Sequence, residues 1–544
     1  MPNLMQFAIA DLFECVTDTV PDRTAVVSGA QQLTYRELDR RATQLAHALA
    51  ARGVDAGDHV GLYLYNVPAH VEAMLACFKL RAVPVNVNYR YVDAELAQLF
   101  DDADLVGVFH HTDLPPPAER ALRFAIPVDG DEYENVISDA SAERDFGPRS
   151  GDDHYVLYTG GTTGLPKGVV WRQEDIIFVV MGGGNPGGDP LTRPDDIART
   201  VVENRAQRVA PFLGPDDAPP ERYAALSLGP LMHASGQWMA LATLIGGGTL
   251  VLYPDRHVEM AAVLELVERE RVTMLSLVGD ASARPLLEEL TANPGRHVTS
   301  SLLLLGSGGS ILSGDVKEQL MAALPTVVGI SEGLGSSESP VQAAAVTRRD
   351  GRPQESLRFD GRPTTVVFDE HWRPVTPGSG QIGRLATRGR VPLGYYKDPE
   401  RSARTFVEVD GERYSMPGDM ATVDADGAIR LVGRGSLCIN TGGEKVYPEE
   451  VEAILKAHPA VADAIVVGVP DDKWGQRVAA VVAVVDGAAP PTLDELQRHC
   501  RKGLAAYKIP RSLLLVDAVR RSPAGKADYA WAAAVANDEL GGDG

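Results

Sequence analysis

The sequence predicts an α/β fold divided into at least two domains. Its 544 residues exceed what a single hydrophobic core usually organises. Strand-like and helix-like segments alternate through the first third of the chain, a pattern typical of a mainly parallel sheet covered by helices. A second, shorter α/β pattern begins after about residue 436 and is long enough to form a small domain.

The first third contains the clearest elements. The run Leu33-Thr34-Tyr35-Arg36-Glu37-Leu38 leads into an amphipathic stretch to Ala50, which predicts a capped helix after a turn. Residues 60–64 and 83–87 are predicted to be buried strands, and residues 70–79 to form the helix between them. Helices between successive strands favour parallel pairing.

Later segments differ in texture. Glycines and prolines at residues 181–220 break any periodicity and predict an extended loop or a local excursion from the core. The C-terminal pattern predicts helices over residues 448–457 and 493–504, with strands over 464–468 and 478–485. We expect the last residues, 538–544, to be disordered.

Composition excludes several function classes. A net charge of −22 argues against nucleic acid or an anionic membrane as a partner through bulk electrostatics. No basic segment followed by an apolar run marks a signal peptide at the N-terminus, and the longest apolar stretches are too short to span a bilayer. The spacing of the four cysteines matches neither a disulfide framework nor a zinc site, which favours a cytoplasmic location. They are Cys15, Cys77, Cys438 and Cys500.

The most specific motif is Tyr158-Thr159-Gly160-Gly161-Thr162-Thr163-Gly164-Leu165-Pro166-Lys167-Gly168. Its glycines let backbone amides turn toward an anion, its hydroxyls add donors, and its lysine adds a positive charge, so the segment suits a triphosphate. It is not a Walker A loop, because no Gly-Lys-[Ser/Thr] ends it. A glycine-rich surface turn is the alternative, although this mixture of residues is rare for one.

This segment resembles the phosphate loop of the adenylate-forming superfamily, which includes acyl-CoA synthetases, luciferases and peptide-synthetase adenylation domains. Gly160 stands where that family has serine. Further motifs follow in the family's order, from a turn that packs against adenine to the acid and arginine that meet the ribose. The resemblance implies an ATP/AMP site formed by Thr159, Gly160, Gly161, Thr162, Thr163, Gly164, Lys167, Gly308, Gly309, Ser310, Leu334, Gly335, Ser336, Ser337, Asp419, Arg434 and Lys526.

Two departures concern the segment from Gly333 to Glu338. Leu334 replaces the aromatic residue that stacks on adenine, and Ser337 replaces threonine. Glu338 matches the acid that holds Mg²⁺ against the phosphates, a task suited to a hard carboxylate oxygen. Outside this context, Glu338 would be a solvated loop acid.

The C-terminal part carries three further matches. Ser436 stands at the hinge position, normally Asp or Lys, between domains expected at residues 1–434 and 435–544. The run from Asn440 to Lys445 resembles the loop that turns toward the active site for the thiol step, which implies coenzyme A contacts by Gly442, Gly443 and Lys445. Lys526, in a Pro-Ala-Gly-Lys turn, matches the mobile catalytic lysine. Alone, such a turn would be an ordinary surface feature.

The resemblance covers nearly the whole chain and implies a fold and a reaction. A large domain with a β subdomain would be followed by a small mobile α+β domain. A carboxylate attacks the α-phosphorus of ATP with Mg²⁺ present, and the thiol of coenzyme A then displaces AMP. Lys526, Glu338 and Thr162 form the implied catalytic set.

Small residues predict a roomy acyl pocket. Gly335 stands where acetyl-CoA synthetases have a blocking tryptophan, and the implied pocket comprises His233, Gly279, Gly306, Ser307 and Gly335. Alone, His233 would more often be structural, and the glycines could equally be turns. The long segment between Gly168 and His233, together with the runs at residues 171–175, 279–285 and 439–448, resembles a bacterial acyl-CoA synthetase branch that includes enzymes activating steroid side-chain acids. We therefore expect a long-chain or polycyclic acid.

Seven basic residues between Cys500 and Lys526, against Asp517 alone, form either a solvated face or a site for the phosphates of coenzyme A or ATP. Arg501, Lys502 and Arg511 are the residues whose neutralisation would distinguish the two.

Two rival functions remain. One is an acyl-AMP ligase that feeds a carrier protein, although the small-domain insertion typical of that group is not found between Glu338 and Gly361. The other is a silent homologue that only binds nucleotide. Small-molecule partners are expected in every case, and a homodimer is a possible assembly.

Overall fold

The computed structural model describes residues 5–118, 121–160, 166–214, 219–309, 312, 314–349, 358–434, 439–446, 448–485, 487–520 and 527–540. Every helix within these ranges is too short or too polar to cross a membrane.

The helices of the described residues are short to medium in length. They are α1 (Ile9–Thr19), α2 (Tyr35–Ala51), α3 (Pro68–Leu80), α4 (Asp93–Asp102), α5 (Asp131–Ser138), α6 (Gln173–Val180), α7 (Ile197–Glu203), α8 (Ala234–Ile245), α9 (Met260–Arg269), α10 (Gly279–Ala292), α11 (Gly314–Ala323), α12 (Pro399–Thr405), α13 (Pro448–Lys456), α14 (Leu493–Cys500) and α15 (Tyr529–Leu540).

The strands fall into three sheets. In chain order they are β1 (Thr24–Ser28), β2 (Gln31–Thr34), β3 (His59–Tyr63), β4 (Val83–Asn86), β5 (Leu105–His110), β6 (Phe124–Pro127), β7 (His154–Gly160), β8 (Pro166–Arg172), β9 (Ala224–Ser227), β10 (Thr249–Leu252), β11 (Met274–Leu277), β12 (Leu304–Gly308), β13 (Gly329–Ser336), β14 (Ser339–Arg348), β15 (Arg358–Gly361), β16 (Thr365–Phe368), β17 (Gly383–Arg388), β18 (Gly394–Tyr395), β19 (Phe406–Val409), β20 (Glu412–Ser415), β21 (Asp419–Val423), β22 (Ile429–Arg434), β23 (Ile439–Thr441), β24 (Glu444–Val446), β25 (Val461–Asp471), β26 (Gly475–Val484) and β27 (Ser512–Val516).

The largest sheet has the strand order β19-β20-β17-β21-β22-β15-β14-β13-β12-β11-β9-β10-β1-β2, with β16 beside β17. Strands β1, β10, β9, β11, β12 and β13 run parallel, and the pairs from β14 to β22 are antiparallel. The second sheet, β18-β8-β7-β4-β3-β5-β6, is parallel from β7 to β6. The predicted α/β class is therefore confirmed: the pairs from β1 to β13 and from β7 to β6 are parallel, and the strands after β13 add an antiparallel part to the largest sheet.

A third sheet organises the C-terminal part, in the order β24-β23-β26-β25 with β27 on β26. Val451, Leu455, Leu496 and Cys500 of α13 and α14 bury against one face, and Ala532 and Ala536 of α15 bury against the other. This small unit has its own apolar core, as a small C-terminal domain requires. The boundary between residues 434 and 435 stays a prediction.

Local chemistry accounts for the capped helix predicted near Thr34. The Glu37 amide donates to the Thr34 hydroxyl at 3.2 Å, and the Glu37 carboxylate accepts from the Thr34 amide at 2.8 Å. This reciprocal capping box begins α2 where the sequence predicted a helix.

Two predictions about the C-terminal part need correction. The helix α14 ends at Cys500 rather than near residue 504. The expected disorder is wrong for Asp538 to Leu540, because these residues end α15, where Arg477 Nη2 donates to the Leu540 carbonyl at 2.5 Å. Residues 541–544 lie outside the described residues.

The predicted excursion after Met181 contains α7 and short 3₁₀ turns, including Gln207–Phe212. Gln207 is buried and adopts a left-handed backbone, φ 44°. Its side-chain Nε2 donates to the Gly246 carbonyl at 2.7 Å, which anchors the excursion beside β10.

Candidate active site

The glycine-rich segment begins in β7 and ends in β8, and these two strands pair with each other. Thr159 lies opposite Lys167 in their antiparallel register. Asn86, at the end of β4, accepts from the Tyr158 amide at 2.7 Å and donates to the Tyr158 carbonyl at 2.9 Å, so the neighbouring strand holds the end of β7. The described residues exclude Gly161, Thr162, Thr163 and Gly164, whose roles stay predictions.

Lys167, Glu338 and Tyr395 meet where β8 begins. Lys167 Nζ donates to Glu338 Oε1 at 2.6 Å and to the Tyr395 hydroxyl at 2.9 Å, and that hydroxyl donates to the same carboxylate oxygen at 2.7 Å. The ammonium also lies 4.4 Å from the centre of the Tyr395 ring. The phosphate-loop hairpin and Glu338 therefore share one site.

Charge in this cluster is strongly coupled. Burial alone would raise the pKa of Glu338, but the Lys167 ammonium, the Lys445 ammonium and the Tyr395 hydroxyl together hold that pKa well below its usual value. Burial, with Glu338 nearby, raises the pKa of Tyr395. Glu338 is thus an anion at neutral pH, beside a cation and a neutral donor.

This donor set fits Mg²⁺ bound jointly with phosphates. Among the described residues, no group of three or more His, Cys, Asp or Glu side chains forms a protein-only metal cage. Mg²⁺ commonly takes one or two carboxylates and completes its shell with phosphate oxygens and water. Glu338 can supply such a carboxylate, so the residues present fit the ion.

The ends of β12 and β13 lie next to each other. Gly308 pairs with Gly333, and Gly309 adopts a left-handed backbone, φ 79°. Two adjacent glycines therefore leave open backbone at the carboxyl ends of parallel strands, where ligands of α/β sheets commonly bind. Ser310 is outside the described residues.

The segment after Gly333 forms the tightly packed connection between β13 and β14. A Cβ at Gly335 would lie 2.1 Å from the Pro340 carbonyl oxygen, so this glycine is required by the tight approach of β14. Leu334 is partly buried and packs against the cluster formed by Ala343, Ala345 and Phe359. The Ser337 carbonyl accepts from Trp171 Nε1 at 3.0 Å, and Ser336 is buried.

The predicted ribose residues face each other across two strands. Asp419 of β21 lies directly opposite Arg434 of β22, and Asp419 is buried. The backbone register therefore brings the two positions together. The Arg434 side chain, the predicted hinge Ser436 and the predicted catalytic Lys526 lie outside the described part of the structure.

His233 sits at the N-cap of α8 and meets the C-terminal hairpin of β23 and β24. Its Nε2 lies 3.1 Å from Glu444 Oε1, and Arg90 Nη1 donates to the same oxygen at 2.5 Å. Burial alone would raise the pKa of Glu444, but His233, Arg90 and Lys508 lower it overall. A buried carboxylate thus joins the two parts of the chain.

The hairpin turn approaches the large domain through glycine backbone. A Cβ at Gly443 would lie 2.3 Å from Val278 Cγ1, and the Gly442 amide donates to the Trp474 carbonyl at 2.9 Å. Lys445 lies close enough to lower the pKa of Glu338. The loop predicted to contact coenzyme A is therefore directed into the same site.

The predicted acyl-pocket residues separate onto two sides of β12. Consecutive strand residues face opposite sides of a sheet. The Gly279 amide, at the start of α10, donates to Ser307 Oγ at 3.2 Å. A Cβ at Gly306 would instead lie 2.9 Å from Met274 Cε, so that methyl group occupies the space beside the glycine.

The basic C-terminal segment does not form one surface. Lys508 is buried and donates to Glu95 Oε1 at 2.6 Å, and Arg520 pairs with Asp528 at 3.4 Å. Arg511 lies over the Trp474 ring, 4.8 Å from its centre. Arg501 and Lys502 are exposed.

Sequence reasoning missed three residues of this site. Tyr395 belongs to a two-residue strand without a distinctive motif, and Arg90 follows Tyr89 in a loop. Glu444 lay inside the thiol-loop motif but had no assigned role. A motif of consecutive residues identifies a loop, whereas these contacts join segments that are far apart in the chain.

Comparisons with known proteins agree with this geometry. The model described as AMP-binding enzyme matches residues 13–396, and the AMP-binding enzyme C-terminal domain matches residues 450–526. The chain is 43% identical to a medium/long-chain-fatty-acid--CoA/3-oxocholest-4-en-26-oate--CoA ligase of Mycolicibacterium smegmatis, over 97% of this chain and 96% of that protein. It is 41% identical to a 3-oxocholest-4-en-26-oate--CoA ligase of Rhodococcus rhodochrous, with the same two coverages. The solved structure of amide bond synthetase McbA from Marinactinospora thermotolerans aligns with a TM-score of 0.77 at 25% identity, over 96% of this chain and 99% of that one.

Proposed function

The chain belongs to the AMP-binding enzyme family, and we propose that it is an ATP-dependent acyl-CoA synthetase for a long-chain fatty acid or a steroid side-chain acid. It joins the acid to AMP with release of pyrophosphate and then transfers the acyl group to coenzyme A. The contact of Lys167 with Glu338 at 2.6 Å carries this proposal, because it unites the phosphate-loop hairpin with the acid proposed to hold Mg²⁺.

In the first step, Lys167 and the glycine-rich segment from β7 to β8 bind the phosphates. Glu338 would hold Mg²⁺, which neutralises charge on the phosphate oxygens when it is bound. Asp419 and Arg434 are proposed to bind the ribose, since their strands pair directly. Lys526 is proposed to stabilise the charge that develops at the α-phosphorus.

The second step needs the thiol of coenzyme A at the carboxyl carbon of the adenylate. The contact between Glu444 and His233 supports this role, because it holds the Gly442–Gly443 turn against the large domain. The thiol loses its proton to water, the thiolate forms the thioester bond at the carboxyl carbon, and AMP leaves with the electrons of the cleaved acyl–phosphate bond.

The names of relatives support the proposed class of acid. The two curated relatives named above are at least 41% identical across nearly the whole chain, and their names include 3-oxocholest-4-en-26-oate. A cytoplasmic location and a homodimer belong to the same proposal.

The test is a paired product assay on the purified chain. With ATP, Mg²⁺ and coenzyme A, palmitate or 3-oxocholest-4-en-26-oate should yield pyrophosphate and an acyl-CoA seen by mass spectrometry. Acyl-AMP without thioester would instead support a ligase that feeds a carrier protein. If neither acid yields pyrophosphate, the result supports a homologue that binds nucleotide without catalysis.

A further inference from the structure

An apolar cluster with two sulfur atoms and a phenol lies beneath the proposed acyl site. Tyr223, Met239, Met274 and Leu304 are each at most 5% exposed and pack together with Val209 from the excursion. Met274 of β11, Leu304 of β12 and Tyr223, which directly precedes β9, lie on one face of the sheet, and Met239 of α8 packs against them. The cluster belongs to none of the motifs that carry the phosphate chemistry.

The cluster continues inward from the proposed acyl site. A Cβ at Gly306 would lie 2.9 Å from Met274 Cε and 3.7 Å from Ser276 Oγ. The helix α8 begins next to His233 and runs back along this face, and Met239 lies six residues further, about 9 Å at about 1.5 Å per residue. Met274 therefore stands between the carboxyl-end site and Tyr223.

Tyr223 brings a strong donor to the inner end. Its hydroxyl donates to Met274 Sδ at 2.8 Å, and burial raises its pKa to about 12, so the group stays protonated at neutral pH. A thioether is a weak acceptor. A ligand carbonyl at this place would be a stronger acceptor than the sulfur.

The inner end is closed by the excursion. A Cβ at Gly329 would lie 2.4 Å from Phe212 Cδ1, so the Phe212 ring rests on the backbone at the start of β13. Arg348 lies over that ring, 5.4 Å from its centre, and its Nη2 donates to the Pro211 carbonyl at 2.8 Å. The excursion therefore packs over the inner end of this face, next to the cluster that contains Tyr223.

We propose that the bound acid extends along this face, that Met274 is a movable plug which a long acid displaces, and that Tyr223 then donates a hydrogen bond to an oxo group at the far end of that acid. Methionine suits the role because its unbranched thioether side chain adapts to irregular space. From Tyr223 to Ser227 the strand covers about 13 Å at about 3.3 Å per residue, the scale of a fused-ring nucleus. This inference rests on the proposed function.

The first experiment uses Tyr223→Phe, which removes only the hydroxyl. Thioester formation is measured with 3-oxocholest-4-en-26-oate, with the same acid lacking its 3-oxo group, and with palmitate. We expect the KM for the oxo acid to rise about tenfold and the other two values to change less than about twofold, since a site built to hydrogen-bond a substrate group discriminates by that group. Tyr253→Phe is the matched control, because this buried phenol packs in the apolar cluster on the other face of the sheet.

The second experiment changes the plug. Met274→Phe should raise the KM for the steroid acid about tenfold or more and leave that for octanoate within about twofold, whereas Met274→Ala should not raise the steroid value. Met321→Ala, in the cluster of the other face, controls for loss of core volume. Thermal melting of each variant verifies that it is folded.

The outcomes separate the two claims. If the wild-type chain forms no thioester with any acid, the proposed function fails. If it forms thioesters but Tyr223→Phe affects the oxo and deoxo acids equally, or affects neither, the hydrogen bond is refuted. If Met274→Phe lowers activity on octanoate as much as on the steroid acid, Met274 is not a plug.

Discussion

The ion-paired carboxylate of Glu444 offers the most direct test of how the two parts of the chain cooperate. Glu444 Oε1 accepts a hydrogen bond from Arg90 Nη1 at 2.5 Å and lies 3.1 Å from His233 Nε2. The glutamate is buried. Replacement by glutamine keeps the shape and one acceptor oxygen but removes the charge. Arg90 then faces a neutral amide in the interface.

The size of the effect follows from those two contacts. Hydrogen bonds to charged groups contribute about 1.5–3 kcal/mol each, against about 1 kcal/mol for neutral ones. Losing the charge from both contacts should cost about 2–3 kcal/mol. This energy corresponds to a roughly 30- to 150-fold shift away from the orientation in which the hairpin meets His233.

The assay measures the two half-reactions separately. Glu444→Gln should slow thioester formation from supplied acyl-AMP and coenzyme A by roughly tenfold or more, while pyrophosphate release in the first step stays within about twofold. Asp472→Asn, an exposed acid of the same small sheet unit, removes the same charge without touching the interface. Equal loss in both half-reactions, or no loss in either, would refute the assigned role of this contact.

Four further predictions concern single residues. Glu338→Gln should lower pyrophosphate release about 100-fold or more, because Lys167 loses its counter-charge and Mg²⁺ its carboxylate; an undiminished rate would contradict the metal role. Lys526→Ala should nearly abolish adenylation but spare thioester formation from acyl-AMP, and survival of both half-reactions would exclude the proposed lysine role. Lys508→Met, which leaves Glu95 buried without its partner at 2.6 Å, should slow the thioester step more than adenylation, and the ratio of the two rates measures this. Burial lowers the pKa of His70 from 6.5 to about 4. Between these pH values the unfolded chain therefore binds more protons than the folded chain, and the free energy of unfolding falls by about 3 kcal/mol as the pH drops from 6.5 to about 4. His70→Gln should weaken the pH dependence of the melting temperature between these two pH values. If the melting temperature varies with pH as in the unchanged chain, His70 is not responsible.

Much of the fold was predictable because its causes are local. The Thr34–Glu37 capping box depends on residues three apart, and the helix α2 begins where it directs. The glycines, hydroxyls and lysine between β7 and β8 lie close together in the sequence, so their suitability for binding phosphate can be predicted without a structure. The predicted disorder of residues 538–540 was wrong because the Arg477 contact that completes α15 comes from a distant strand.

The sequence by itself determined the fold class, the order of the motifs and the chemical character of the phosphate loop. Only the tertiary structure decided that Tyr395 and Lys167 share Glu338, that Glu444 meets Arg90, and that Met274 fills the space beside Gly306. The physical reason is that helix caps and turns depend on neighbours along the chain, whereas burial, charge coupling and side-chain packing depend on residues that only folding brings together.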